Sequence, residues 1–301
     1  MDNLDARDKS NSFELLPTER VGVQERPEVF GTGDTKRVYE IQYKDFSIGV
    51  NCGDISQVPT EAVMCPTTPW LEIGGGAIEN VLARAAGETL FESYAEDLMN
   101  IVGKVLTTDG AERVKAAAKL QNLLKEKGRM RVEATPEEVA NDIASSCEIS
   151  KFEDGTEHPA LFYGAAIPAP SGRLAEVGIK LIVLTNVTPD GSKEGQSGGM
   201  TRQHMESFTY NSCKAAHLVG INSITIPAVG TGFAATFGFG LSREDSMCGF
   251  FAGAKKFADE FKGKTQLKQI DYNVYIRPSE ESAKQIAKAT ADYGIKRLLQ
   301  N

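Results

Sequence analysis

The chain has 301 residues, 41% of them hydrophobic and 25% charged, with a formal net charge of −8. This is ordinary globular composition, long enough for a well-buried core. The acidity argues against duplex nucleic acid or an anionic membrane surface as the main partner, because neither would be attracted at long range. No apolar run reaches the length of a bilayer span, and the N-terminus, MDNLDARDKSNSFELL, is polar and acidic, unlike a signal peptide. A soluble, cytoplasmic protein with no membrane partner is expected.

Residues 1–36 are rich in Asp, Glu, Arg, Thr and Gly and are broken by Pro17 and Pro27, so they read as a partly irregular N-terminal extension, with one domain over 37–301. Alternation from Val38 to Tyr43 predicts a strand, paired across a Lys44-Asp45 turn with Phe46 to Asn51. Gly53-Asp54-Ile55 makes a turn, and Ala62 to Cys65 is a short buried strand. Three glycines, Gly74, Gly75 and Gly76, then let the backbone approach a ligand with no Cβ between them. The helix predicted from Ile78 to Ala86 aims its N-terminal N–H groups at that loop. The helical pattern resumes through Phe91, Tyr94 and Leu98.

Between about 100 and 157 the spacing predicts helices over Ala111 to Lys127 and, after the start signal Thr135-Pro136-Glu137-Glu138, over Val139 to Cys147. They carry no motif and read as a packed ornament or a lid. Pro159 to Ile167 predicts a strand, Pro168 to Gly172 a loop, Ile179 to Asn186 a strand, and the Gly/Ser-rich Thr188 to Met200 a surface loop. Arg202 to Leu218 predicts a helix that buries Met205, Phe208, Cys213 and Ala216. Ile221 to Val229 is a β-branched central strand ending in Gly230-Thr231-Gly232-Phe233-Ala234-Ala235, at a carboxyl end, where ligands of open α/β sheets sit. A helix over Glu244 to Phe261, a last strand over Tyr272 to Arg277 and a terminal helix over Ser279 to Leu299 complete the pattern. Strands alternating with helices predict a three-layer α/β/α fold around a mixed, mostly parallel sheet.

The five cysteines are odd in number, widely scattered and without a CxxC pair, so neither a disulfide framework nor a zinc site is expected, and no metal or cofactor is implied. They read as buried thiols, with Cys65 at the mouth of the proposed cleft as the one exception. The three histidines, His158, His204 and His217, lie in no motif that would make a Cys–His nucleophile.

Taken together, Gly53-Asp54-Ile55-Ser56, the apolar strand after it, Gly74 to Glu79 and Arg84-Ala85-Ala86-Gly87 resemble the opening of a macro domain, the ADP-ribose-binding (Appr-1''-p processing-like) family. Ile221 to Phe233 is similar to that family's later strand and second phosphate loop. The likeness covers residues 40–95 and 160–290 and makes the helical segment an insertion. It implies that Asp54 accepts a hydrogen bond from the adenine amine beside the Ile55 backbone, although an Asp here also serves as an ordinary Asx cap. It implies further that Gly74, Gly75, Gly76, Ala77 and Ile78 face the distal ribose and its phosphate, and that Gly230, Thr231, Gly232 and Phe233 face the diphosphate. The family often sets an aromatic ring one position later, where this chain has Ala234, and covers the adenine from the last strand, where Tyr275, Ile276 and Arg277 are candidates. Main-chain amides hold a diphosphate without Lys or Arg, which suits an acidic protein.

Family hydrolases carry an Asn-Ala-Ala-Asn run where this chain reads Cys65-Pro66-Thr67-Thr68, and an acid that Glu79 matches; Ala83 stands where a histidine is frequent. Thr68 offers one hydroxyl in place of an amide's donor and acceptor, and Glu79 is equally explained as an acid in the first turn of a helix. The resemblance therefore implies a module binding ADP-ribose or a related adenosine diphosphate metabolite. Two alternatives stay open: an ADP-ribosyl hydrolase acting on an ADP-ribosylated macromolecule or ester through Glu79 and Thr68, and an interaction scaffold with no nucleotide affinity.

Overall fold

The computed structural model describes residues 23–24, 35–71, 77–128, 132–152, 154–188, 199–231, 240–274 and 292. The strands are β1 (Val23–Gln24), β2 (Lys36–Tyr43), β3 (Phe46–Cys52), β4 (Ala62–Thr67), β5 (Cys147–Lys151), β6 (Glu157–Leu161), β7 (Ala166–Pro170), β8 (Leu181–Asn186), β9 (Ser223–Pro227) and β10 (Gln269–Val274). The helices are α1 (Ala77–Ala86), α2 (Glu88–Thr107), α3 (Gly110–Gly128), α4 (Pro136–Ser146), α5 (Arg202–Leu218) and α6 (Arg243–Phe261).

Eight of these strands form one sheet in the order β1-β2-β3-β10-β9-β4-β8-β7. The five central strands, β3, β10, β9, β4 and β8, are mutually parallel, and β1, β2 and β7 pair antiparallel with their neighbours. Every residue of β8 and β9 is buried, as expected of parallel strands covered on both faces, and the fold has the α/β/α layering the alternation predicts. α5 and α6 pack side by side; a Cβ at Gly249 would stand only 2.7 Å from that of Met205, so the two helices approach closely.

The helices lie within a few residues of where periodicity places them. Met205, Phe208, Cys213 and Ala216 of α5 are all fully buried. Thr135 and Glu138 close a reciprocal cap at the start of α4, with Glu138 N donating to Thr135 Oγ1 at 3.2 Å and Thr135 N to Glu138 Oε2 at 2.7 Å. α2, α3 and α4 bury one face each, through Leu98 and Val102, Leu120 and Leu124, and Val139 and Ile143, against one another and β7. Each such side chain contributes about 1.5–3 kcal/mol of apolar burial.

Three expectations are corrected in the segment after α4. Cys147 opens β5 instead of closing a helix, and β5 pairs with β6 as a hairpin from Cys147 opposite Leu161 to Lys151 opposite Glu157. Pro159 to Ile167 is not one strand: β6 ends at Leu161, a turn closes with Ala165 N donating to Phe162 O, and β7 begins at Ala166. Pro168 and Pro170, expected in a loop, belong to β7. Among the described residues that strand has β8 as its one neighbour in the sheet, so the missing N–H groups face away from β8. The predicted terminal helix, Ser279 to Leu299, lies outside the described residues apart from residue 292.

At the amino ends of the central strands, Glu61 clamps three of them together. Its Oε1 accepts from Lys180 Nζ at 2.6 Å, and its Oε2 accepts from Asn222 N and Nδ2 at 2.9 and 3.0 Å. Burial raises the Glu61 pKa, but the Lys180 and Asn222 donors outweigh it and hold the carboxyl below its ordinary 4.5. A depressed carboxylate stabilises the fold above its unfolded pKa, and the contribution is lost as pH falls through the folded value. Glu61→Gln is expected to cost about 1–2 kcal/mol at about pH 7 and much less near pH 3, read as the shift in urea midpoint between the two conditions.

Candidate functional site

Because the five central strands are parallel, their carboxyl ends and the turns that follow emerge along one edge of the sheet. Backbone bonds continue the ladder past the strand ends: Gly53 N donates to Val274 O at 3.1 Å, Ala228 N to Asn273 O at 3.0 Å, and Val187 N to Thr67 O at 3.1 Å. Asp54, Thr68, Gly230 and Thr231 therefore lie along that one edge. α1, α5 and α6 begin after β4, β8 and β9 respectively, so their N-terminal ends, the positive ends of their dipoles, turn toward the same edge.

At the β3 end, Asp54 caps a short 3-10 turn over Ile55–Gln57, with Oδ1 accepting from Ser56 N and Ser56 Oγ, both at 2.8 Å. The Asx cap is thus present, and it uses one carboxylate oxygen. Thr35 Oγ1 donates to the Asp54 carbonyl at 2.6 Å and ties the preceding chain to the turn. The Ile55 side chain is in the core, so what it offers an edge ligand is backbone. α1 packs against both this turn and β4, and Ile78 is half-buried against the core.

At the β9 end, Gly230 adopts φ +79°, a left-handed conformation, and Leu241 N donates to its carbonyl at 3.0 Å. The turn is braced from below. Ser246 Oγ of α6 donates to Val229 O at 3.2 Å, and the buried Tyr272 hydroxyl lies 2.8 Å from that Ser246 oxygen. Thr231 Oγ1 donates to Ala228 O at 2.9 Å, folding the turn on itself. Met200, just ahead of α5, packs so close to Gly230 that a Cβ there would stand 2.9 Å from its Sδ.

At the β4 end, Thr68 is half-buried and its carbonyl accepts from Leu71 N at 3.2 Å. Glu79, in the first turn of α1, is 6% exposed. It lies near Cys65, whose thiol burial, and then the Glu79 charge, push well above its ordinary pKa. Cys65 is fully buried. The expectation of an accessible thiol at the cleft mouth is corrected: its side chain belongs to the hydrophobic core. All five cysteines are buried and none is in a disulfide, and among the described residues no cluster of His, Cys, Asp and Glu is placed to hold a metal ion. His204 is a helix cap, its Nδ1 accepting from Thr201 N at 3.2 Å.

Of the remaining sequence-predicted residues, Gly74, Gly75, Gly76, Gly232, Phe233, Ala234 and Arg277 lie outside the described residues, and Ala77 is described as the first residue of α1 by its backbone alone. Sequence reasoning missed Met200, Ser246 and Tyr272, which shape the Gly230 turn from distant parts of the chain. It also missed Trp70, whose ring lies 5.5 Å from Phe152 at the tip of the β5–β6 hairpin. A lone tryptophan next to a turn was the available signal.

No helix among the described residues is long and apolar enough to cross a membrane. By sequence, the chain matches no protein-family model and no curated protein. By structure it is similar to the Oceanobacillus iheyensis macrodomain with ADP, at TM-score 0.51 and 14% identity over 86% of this chain and 96% of that one. It is similar likewise to the same macrodomain with MES bound, at TM-score 0.50 and 14% identity over 86% and 97%. The Trypanosoma brucei macrodomain in complex with ADP-ribose aligns at TM-score 0.47 and 13% identity over 82% and 68%. At such identities the likeness is one of architecture, and the architecture of this chain is the macrodomain α/β/α fold.

Proposed function

We propose that this chain binds ADP-ribose or a closely related adenosine diphosphate metabolite as a macrodomain module. The observation that carries the proposal is the convergence of the Asp54 turn, the Gly230 turn and the α1 N-terminus on the carboxyl edge of one sheet. With strands about 4.8 Å apart, the ends of β3 and β4, three strands distant, are separated by about 14 Å, a span suited to an extended nucleotide with a second sugar. In this arrangement Asp54 and the Ile55 backbone take the adenine, with Arg277 covering it. Gly230, Thr231, Gly232, Phe233 and Ala234 take the diphosphate. Gly74, Gly75, Gly76, Ala77 and Ile78 take the distal ribose and its phosphate, the amides serving an anion without requiring a basic side chain. The Oceanobacillus macrodomain of similar architecture was crystallised with ADP. The nucleotide is free or attached to a macromolecule, and five buried cysteines outside any disulfide suit a reducing compartment such as the cytoplasm.

Calorimetry with ADP-ribose tests this, with Asp54 as the discriminating position. Since Oδ1 is engaged in the cap, Oδ2 is the oxygen that accepts from the adenine amine. Asp54→Asn keeps the cap acceptor but turns an N–H₂ donor toward an amine donor. Both Asp54→Asn and Asp54→Ala are expected to weaken binding about tenfold or more, the worth of a hydrogen bond to a charged group. If Asp54→Asn binds as the native chain does, the carboxylate serves only the turn.

A further inference from the structure

Trp70, Phe152 and His158 form an aromatic cluster that the α/β/α scaffold does not need. Trp70 stands on the loop from β4 toward α1, two residues past Thr68, and the main chain locks the hairpin beside it through Leu161 N donating to Pro69 O at 2.8 Å. The Phe152 ring lies 5.5 Å from the Trp70 ring, and the His158 ring meets it edge-on at 5.2 Å. Phe152 is 38% exposed and Trp70 half-buried, so the cluster is open to solvent. Among the described residues the enclosed Trp70 Nε1 has no acceptor, a desolvation cost that simple packing would avoid by using an apolar ring. The hairpin is acidic: Glu148, Asp154 and Glu157 are exposed on it against Lys151 and His158, and Thr156 N and Oγ1 donate to Asp154 Oδ1 at 2.9 and 2.6 Å.

We infer that this cluster is a subsite for a planar, cationic heteroaromatic ring carried by the distal ribose of the nucleotide. The inference rests on the ADP-ribose reading above, which puts the distal ribose at the β4–α1 loop. Electron-rich ring faces attract a cation within about 6 Å, most strongly with tryptophan. Surrounding carboxylates add attraction for the same charge. An N-glycosidic pyridinium, as in oxidised nicotinamide dinucleotide, has that chemistry; its reduced form is planar-ringed but uncharged.

Trp70 is the only tryptophan in the chain, so its emission reports on the subsite directly. Titration of the full chain with NAD+ is expected to quench that emission, because a stacked pyridinium accepts an electron from the excited indole, whereas ADP-ribose binds with little quenching. By calorimetry, Phe152→Ala is expected to weaken NAD+ about threefold to tenfold and to leave ADP-ribose within about twofold, with NADH behaving as ADP-ribose does. Phe152 is at an exposed hairpin tip, so the variant folds. Equal binding of NAD+ and ADP-ribose, unaltered by Phe152→Ala and without quenching, overturns the subsite and leaves the ADP-ribose reading standing. A chain that binds neither nucleotide overturns both.

Discussion

Gly49→Ala is expected to remove about 3 kcal/mol or more of folding stability, although position 49 touches no proposed ligand. Gly49 sits mid-strand in β3, opposite Glu40 of β2 on one side and Asp271 of β10 on the other. Arg37 of β2 reaches over it, its Nη2 donating to Asp271 Oδ1 at 2.7 Å and to Ser47 Oγ at 2.8 Å, while Nη1 lies 3.2 Å from Glu40 Oε1. Asp271 is fully buried and accepts further from Gln269 Nε2 at 2.7 Å and Asn51 Nδ2 at 3.2 Å. A Cβ at position 49 would stand 2.5 Å from both Arg37 Nη2 and Asp271 Oδ1. The arginine can swing away only by leaving the carboxylate buried without its partner, and separating a buried pair costs about 3–5 kcal/mol. Arg37→Met makes the same break directly, while Arg37→Met with Asp271→Leu is expected to recover the part of the loss that Asp271 carries, with Glu40 still losing its Arg37 contact.

The pH dependence gives a second check on that pair. Burial raises the Asp271 pKa, and Arg37, Gln269 and Asn51 oppose it; removing Arg37 lets it rise further. A carboxyl whose folded pKa exceeds its unfolded value binds more protons folded than unfolded, so stability falls as pH rises between the two. The deficit of Arg37→Met, followed by urea unfolding, is therefore expected to grow from about pH 4 to about pH 8. A deficit independent of pH would show that Asp271 does not carry the effect.

This pair marks the limit of what the sequence makes legible. Helices announce themselves locally: the α5 stripe of Met205, Phe208, Cys213 and Ala216, the Thr135 and Glu138 cap, and the Asp54 turn are all written within a few residues. The parallel centre follows from alternation with helices, and with it the placing of Asp54 and Gly230 at one edge. The β5–β6 hairpin was hidden because Glu157-His158-Pro159-Ala160-Leu161 carries a proline and little alternation, and β7 because Pro168 and Pro170 read as a loop until its edge position is known. Arg37 and Asp271 are 234 residues apart, and no local pattern links them. Met200 against Gly230, and Trp70 against Phe152, are likewise products of tertiary packing.

Gly230→Val is expected to lower ADP-ribose affinity at least about a hundredfold while the chain stays folded, as judged by calorimetry beside thermal unfolding. A left-handed residue with a Cβ loses about 1–2 kcal/mol, and a β-branched one more; at φ +79° the backbone relaxes by rotating away. It cannot rotate far without collision, since the new Cβ stands 2.9 Å from Met200 Sδ and 3.3 Å from Leu241 N. The relaxation must therefore pull on the Leu241 N to Gly230 O bond and on the Val229 carbonyl held by Ser246. Those bonds aim the amides that the diphosphate would use. Two misaimed amides, each contributing about 1.5–3 kcal/mol to a charged acceptor, account for a hundredfold loss or more. Tyr272→Phe removes only the brace beneath Ser246 and is expected to produce a loss of a few fold. If Gly230→Val binds normally, the β9 turn does not donate to the diphosphate. An Asp54→Asn loss would then place adenine at β3 but leave the phosphates to the β4–α1 loop alone.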